Sequence, residues 1–187
     1  MFQMEPSENN GLYLQAIGRM GGMSNDWGTD DFRERVDYDT SHNYYGTAVG
    51  VGYEGNAGKY IGYDVYGKFM WNHLEGDDAD VKGEHLQFQD IDSVKTRIGL
   101  RLAYEGFKIV KPFIGGAWER EFNGEANAKV NGYKIDSPDL KGDTGLLELG
   151  VSCKSEKSAN WELDLSVTGY MGVRRGLSGS IYFIYNF

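Results

Sequence analysis

The chain has 187 residues, a length that suits one domain or one barrel. It holds 27 Gly and 14% aromatic residues against 3 Pro, a mixture that favours closely packed strands and excludes long helices. Its net charge of −9 and the absence of any long basic run exclude a nucleic-acid-binding protein. A single cysteine, Cys153, supports neither an internal disulfide nor a multi-cysteine zinc site.

The N-terminal residues 1–10 (MFQMEPSENN) form a polar segment without the apolar core of a signal peptide. No window approaches 18 consecutive apolar residues, so we expect no transmembrane helix. Residues 11–187 are predicted to form one domain. A membrane-spanning barrel strand needs only about 9–11 alternating residues, so the membrane stays open as a location.

Apolar and polar residues alternate over long stretches of residues 11–187. The sharpest run extends from Trp161 to Arg174, where every second residue is apolar or glycine. Further alternating runs cover residues 12–20, 45–53, 64–72, 94–104, 114–122, 147–154 and 177–187. Typical strands of soluble sheets have about 5–6 residues, so these lengths favour a membrane barrel with about eight strands over a soluble sandwich.

The connections between these runs alternate in length. Residues 24–43, 74–92 and 123–143 are expected to form long polar loops, and residues 55–59, 106–111, 155–160 and 175–177 short turns. Long loops at one end and short turns at the other are typical of an antiparallel up-and-down outer-membrane barrel with both termini in the periplasm. The fold class predicted is therefore all-β, with one face of each strand towards lipid and the other towards a polar lumen.

The charged positions of the alternating runs are predicted to face the lumen. These charges could neutralise one another in a hydrated interior, or they could line a pore. Both alternatives require a lumen that contains water. The candidate pore-lining residues are Lys68, Arg97, Arg101, Glu119, Glu121, Glu148, Asp164 and Arg174. Aromatic residues near the strand ends on the other face are expected to form the girdles of a barrel: Tyr45, Tyr53, Trp71, Tyr104, Trp118, Trp161, Tyr185 and Phe187.

The residues that could carry catalysis or bind a metal form no recognisable motif. A hydrolase would need His42, His73 or His85 as a base beside a nucleophile, and no motif surrounds any of them. The acidic residues 76–80 (GDDAD) lack the spacing of an EF-hand, so a solvated loop is the preferred interpretation. We predict no catalytic residue, no metal site and no cofactor.

Several short motifs occur in a fixed order along the chain. They are DVYGKF at 64–69, DSVKTRIGLR at 92–101, AWEREFNG at 117–124, LKGDTG at 140–145 and GYMGVRRGLSG at 169–179. This order resembles the C-terminal β-domain of autotransporters, the translocators of type V secretion. The apolar and aromatic series at the end of the chain is similar to the β-signal of that family: Ile181, Phe183, Tyr185 and Phe187.

The resemblance implies a twelve-stranded barrel with a helix in its pore, of which this chain carries about the last two-thirds. The first four strands, the helix, the passenger and the signal peptide would then lie outside it. The implied function is to anchor and help export a passenger across the outer membrane of a Gram-negative bacterium. The implied partners are outer-membrane lipid, lipopolysaccharide, the barrel assembly machinery and the passenger. A stand-alone eight-stranded barrel with a structural or adhesion role remains the alternative.

Overall fold

The computed structural model describes residues 2–4, 11–32, 34–81, 83–107, 109–135, 139–154 and 161–185. These residues form thirteen strands: β1 (Phe2–Met4), β2 (Gly11–Phe32), β3 (Glu34–Asn56), β4 (Ile61–Leu74), β5 (Asp77–Val81), β6 (Glu84–Phe88), β7 (Ile91–Tyr104), β8 (Val110–Asn123), β9 (Ala128–Val130), β10 (Tyr133–Ile135), β11 (Gly142–Lys154), β12 (Trp161–Gly172) and β13 (Gly176–Tyr185). Within this part of the chain, no helix has the length and apolar character needed to cross a membrane.

Nine strands form one antiparallel sheet in the order β1-β2-β3-β4-β7-β8-β11-β12-β13. Eight of them are long, which confirms the predicted number of strands and the all-β, up-and-down fold class. The sheet is curled like half a barrel and is open. Its order ends at β1 on one side and at β13 on the other, and no pairing between the described residues joins these two edges. Part of the predicted polar N-terminal segment, Phe2–Met4, pairs with β2.

The two faces of this sheet differ as the alternation predicts. On the apolar face, large side chains are exposed. Ile98, Leu100 and Trp118, for example, are 43–54% exposed. The polar face carries charged side chains that are nevertheless buried, such as Glu119 and Glu121 at 2% and 6% exposure. A soluble protein buries its apolar side chains first, so this inverted distribution indicates that the apolar face meets a non-aqueous medium.

Glycines on the polar face lie opposite aromatic rings and make room for them. An added Cβ at Gly150 would lie 2.3 Å from Cζ of Phe113 and 2.5 Å from the carbonyl oxygen of Leu165. Gly52 receives the ring of Tyr13 and Gly99 that of Tyr66 in the same way. Each pair is formed by directly opposite residues of neighbouring strands. The high glycine content therefore serves the packing of rings flat against the sheet.

The long connections, which the sequence predicted as polar loops, contain paired strands among the residues described. β2 and β3 continue their ladder through residues 24–29 and 36–41, with Asp26 opposite Asp39. The connections 74–92 and 123–143 contain the hairpins β5–β6 and β9–β10, which form a second sheet in the order β10-β9-β6-β5. We call this the loop sheet. The loop prediction was wrong here because it took polarity as its criterion, whereas backbone pairing in water does not require apolar side chains.

Candidate pore wall on the polar face

The register of the main sheet brings charged residues of several strands into one row. Lys68 on β4 is opposite Arg97 on β7, and Arg97 is opposite Glu119 on β8. Glu119 is in turn opposite Thr144 on β11. Because directly opposite residues of adjacent strands share a face, the alternation of each strand sets which charges meet.

The carboxylate of Glu119 forms ion pairs with two arginines, Arg97 and Arg174. Its Oε2 accepts hydrogen bonds from Nε and Nη2 of Arg97 at 2.9 and 2.6 Å. Its Oε1 forms an ion pair with Nη2 of Arg174 at 2.8 Å. The Glu119 side chain is 3% exposed, while the two arginines are 26% and 32% exposed. A buried carboxylate needs such compensation, and both of its oxygens are occupied.

Glu121 closes an irregularity in the β7–β8 ladder. Val94 is opposite Asn123 and the next residue, Lys95, is opposite Glu121, so Phe122 is an extra residue on β8. The Glu121 carboxylate accepts hydrogen bonds from the backbone N–H of Val94 at 2.8 Å and of Asn123 at 3.2 Å. It also accepts one from Ser93 at 2.7 Å and pairs with Lys95 at 3.4 Å. The carboxylate thus supplies partners for donors beside a β-bulge.

A cavity of about 190 Å³ lies beside this row on the same face. Arg101 contacts Glu148 there at 2.9 Å and stacks over the ring of Phe113 at 4.4 Å from its centroid. Nζ of Lys68 lies 5.0 Å from the centroid of Tyr66. The lining residues come from five strands, β4, β7, β8, β11 and β12, which requires the sheet to curve around this space. The polar face is therefore the concave one.

The eight candidate pore-lining residues share this face, but they do not form one cluster. Arg97, Glu119 and Arg174 meet, and Arg101 pairs with Glu148. Asp164 lies apart from these groups, opposite Ser152 and Tyr182 on the neighbouring strands. Its Oδ1 is buried and has no hydrogen-bond partner.

Two polar-face contacts were missed by the sequence analysis. Tyr13 donates a hydrogen bond to Asp64 Oδ1 at 2.9 Å, and Thr144 Oγ1 accepts one from the backbone N–H of Arg174 at 3.3 Å. The signal for Asp64 was present, because it alternates in phase with Tyr66 and Lys68. Nothing in the sequence pairs it with a tyrosine 51 residues away.

The predicted β-signal residues lie on the edge strand. Ile181, Phe183 and Tyr185 are 78%, 62% and 52% exposed on the apolar face of β13. They are opposite Leu165, Leu163 and Trp161 of β12. Phe187 lies outside the described residues.

The three histidines surround the β5–β6 hairpin rather than the pore wall. Nδ1 of His42 is 3.0 Å from the carbonyl oxygen of Glu75, and Nδ1 of His73 is 2.9 Å from Asp92. His85 contacts Asp80 at 2.9 Å, and this hydrogen bond raises the pKa of the imidazole above its usual value.

The acidic segment 76–80 uses its carboxylates within the protein. Asp77 accepts hydrogen bonds from the backbone N–H of Ser41 at 2.7 Å and of Asp78 at 2.9 Å, which lower the pKa of its carboxyl group. Among the residues that the structure describes, no three His, Cys, Asp or Glu side chains are grouped so as to hold a metal ion.

Comparison with protein families gives a match to the autotransporter β-domain over residues 4–166. The chain belongs to this family. No curated protein matches it. Among solved structures, it is similar to the transport unit of the autotransporter AIDA-I from Escherichia coli, with 13% identity and a TM-score of 0.55. That similarity covers 100% of this chain and 79% of the other, and it confirms the barrel-type fold.

Membership of this family confirms the resemblance found in the motifs. Autotransporter β-domains are outer-membrane β-barrels of type V secretion in Gram-negative bacteria, and they are a family of translocators rather than a class of enzymes. The charged concave face and the apolar convex face of this β-domain are the two surfaces that such a location requires.

Proposed function

We propose that this β-domain anchors an autotransporter in the outer membrane and that its concave face lines the path of an exported passenger. The observation that carries the proposal is the family match over residues 4–166, since it assigns the fold to a translocator family. The charges of the concave face support it. Most are matched by opposite charges or rings of the wall, as in Arg97–Glu119 and Arg101–Glu148, so a passing chain meets a polar surface without strong free charges.

The wall of this pore includes more than the described strands. The outer edge of β2 pairs only with the three residues of β1, and no second strand pairs with β13 among the residues described. Since every backbone group in lipid needs a partner, both edges need pairing partners in a membrane, and we propose that further strands supply them. The alternative, a stand-alone barrel of eight strands, would need direct pairing of β2 with β13.

The membrane partners follow from the two surfaces. The convex face would contact outer-membrane lipid, and the loop sheet would lie on the side of lipopolysaccharide. The connections from β3 to β4, from β7 to β8 and from β11 to β12 and both termini would then face the periplasm, where the barrel assembly machinery would recognise Ile181, Phe183, Tyr185 and Phe187. The turn between β12 and β13 would lie at the opposite end, on the side of the loop sheet. Deletion of Phe187 is expected to lower the yield of heat-modifiable barrel in outer membranes sharply. An unchanged yield would refute its role in targeting.

Export is tested by placing one bulky residue on either face of β12. Thr168 lines the concave cavity, whereas its neighbour Val167 is 54% exposed on the convex face. A reporter passenger is fused ahead of the complete β-domain, and its surface exposure is measured with antibodies on intact cells. Thr168→Trp is expected to reduce export at an unchanged level of folded barrel, and Val167→Trp to leave export unchanged. Equal export by the two variants would contradict a pore wall on the concave face.

A further inference from the structure

The turn between the last two strands contacts two neighbouring strands, β11 and β8. This turn, residues 173–175, joins β12 to β13. The backbone N–H of Val173 donates to the carbonyl of Asp143 at 3.1 Å, and that of Arg174 donates to Thr144 Oγ1 at 3.3 Å. Both acceptors belong to β11, so the first residues of the turn continue the pairing of β12 with β11.

The side chain of Arg174 continues inward from the turn. Its guanidinium lies 4.7 Å from the centroid of the Tyr170 ring and reaches Glu119 on β8 at 2.8 Å. Arg174 therefore spans β11 to contact a carboxylate that Arg97 already holds from the other side. Its neighbour Arg175 is exposed, and its Nε donates a hydrogen bond to the carbonyl of Gly172 at 3.3 Å.

We infer that Glu119 is a positioning residue that, through Arg174, fixes the β12–β13 turn on the concave face. The buried carboxylate is itself fixed by two hydrogen bonds from Arg97, which makes it a rigid anchor for the turn. The position of this turn matters because β13 is an edge strand that pairs only with β12 among the described strands. The inference concerns the turn alone and stands independently of passenger export.

Trypsin cleavage of the Arg175–Gly176 bond reports whether the turn is held. The bond lies in the turn itself, and proteolysis requires local opening of the backbone. The full chain is assembled into outer membranes, treated briefly with trypsin from the exposed side, and cleavage after Arg175 is quantified by mass spectrometry. Glu119→Gln is expected to accelerate this cleavage about tenfold, the effect of leaving the charge of Arg174 without its ion-pair partner. Glu148→Gln, which alters the Arg101 pair on the same face, is the matched control and should leave the rate unchanged.

Combining substitutions shows whether Glu119 acts through Arg174. Arg174→Gln alone should accelerate cleavage after Arg175 to a similar extent, and Arg174→Lys should restore part of the protection. Adding Glu119→Gln to Arg174→Gln should cause no further increase, because the contact is already lost. Additive effects would overturn the inference, as would equal rates for Glu119→Gln and Glu148→Gln. If Glu119→Gln does not assemble, a wild-type rate in Arg174→Gln would refute it equally well.

Discussion

The main sheet and the loop sheet obey different constraints, although both are antiparallel. The eight long strands of the main sheet have 10–23 residues and alternate between a polar and an apolar face outside the polar ends of β2 and β3, and charges such as Glu119 are buried against opposite charges. The loop sheet is built from strands of 3–5 residues, and its contacts are exposed, as at His85 and Asp80. A bilayer therefore requires apolar and polar residues to alternate along a strand. In water the order of apolar and polar residues is not constrained in this way, and the backbone groups need only be hydrated or paired.

The largest effect is expected where a glycine of the main sheet receives a ring. Gly150→Ala would place a methyl group 2.5 Å from the backbone oxygen of Leu165, which cannot move without disturbing the ladder. We expect a loss of about 3 kcal/mol in the free energy of unfolding, measured by urea titration in lipid vesicles. Gly116→Ala is the control, since nothing lies within 4 Å of its added Cβ. Equal losses at the two positions would show that ring packing does not govern the main sheet.

A smaller loss is expected at the β-bulge of the concave face. Glu121→Ala removes the acceptor of two backbone N–H groups and the partner of Lys95. We expect it to cost about 2 kcal/mol in the same urea titration, because buried donors are left unsatisfied. Glu148→Ala should cost about half as much, since its side chain is 22% exposed and it pairs with the partly exposed Arg101. A greater loss at Glu148 would contradict this account of the bulge.

These positions also show how far the sequence predicts the structure. Alternation placed Lys68, Arg97 and Glu119 on one face because the side-chain period of a strand is two. It did not predict that Glu119 would hold both Arg97 and Arg174, since that depends on register between strands far apart in sequence. Nor did it predict β5, β6, β9 and β10, because strands of 3–5 residues are too short for alternation to mark them.

The loop sheet is expected to respond locally. Asn131 and Gly132 form the turn of β9–β10 with φ of 48° and 83°, a left-handed region that Ala adopts at a cost. Gly132→Ala should destabilise this hairpin by about 1 kcal/mol and accelerate amide exchange at Tyr133 and Ile135. Lys134→Ala is the control in the same hairpin. Faster exchange in β7 or β8 as well would show that the two sheets unfold together.

The smallest effect concerns pH. The hydrogen bond to Asp80 raises the pKa of His85, so its contribution to the β5–β6 hairpin is complete below the ordinary histidine pKa of 6.5 and is lost as pH rises through the raised value. Protection of the β5 and β6 amides, corrected for intrinsic exchange, should decline slightly from pH 6 to pH 9. His85→Gln should abolish this decline. A decline that persists in the variant would assign it to another group.

The central claim is that neighbouring residues of one strand face lipid and a polar lumen in turn. Gly116 and Ala117 test it most directly, because they are neighbours at the middle of β8. Gly116 is opposite Leu100 and Leu147 of the convex face, and Ala117 is opposite Gly99 and Leu146 of the concave face. Each is replaced by cysteine in a Cys153→Ser chain reconstituted in lipid vesicles, and labelling by a charged, water-soluble maleimide is measured. We predict rapid labelling of Ala117→Cys and protection of Gly116→Cys. Equal labelling, or faster labelling of Gly116→Cys, would contradict the assignment of the two faces.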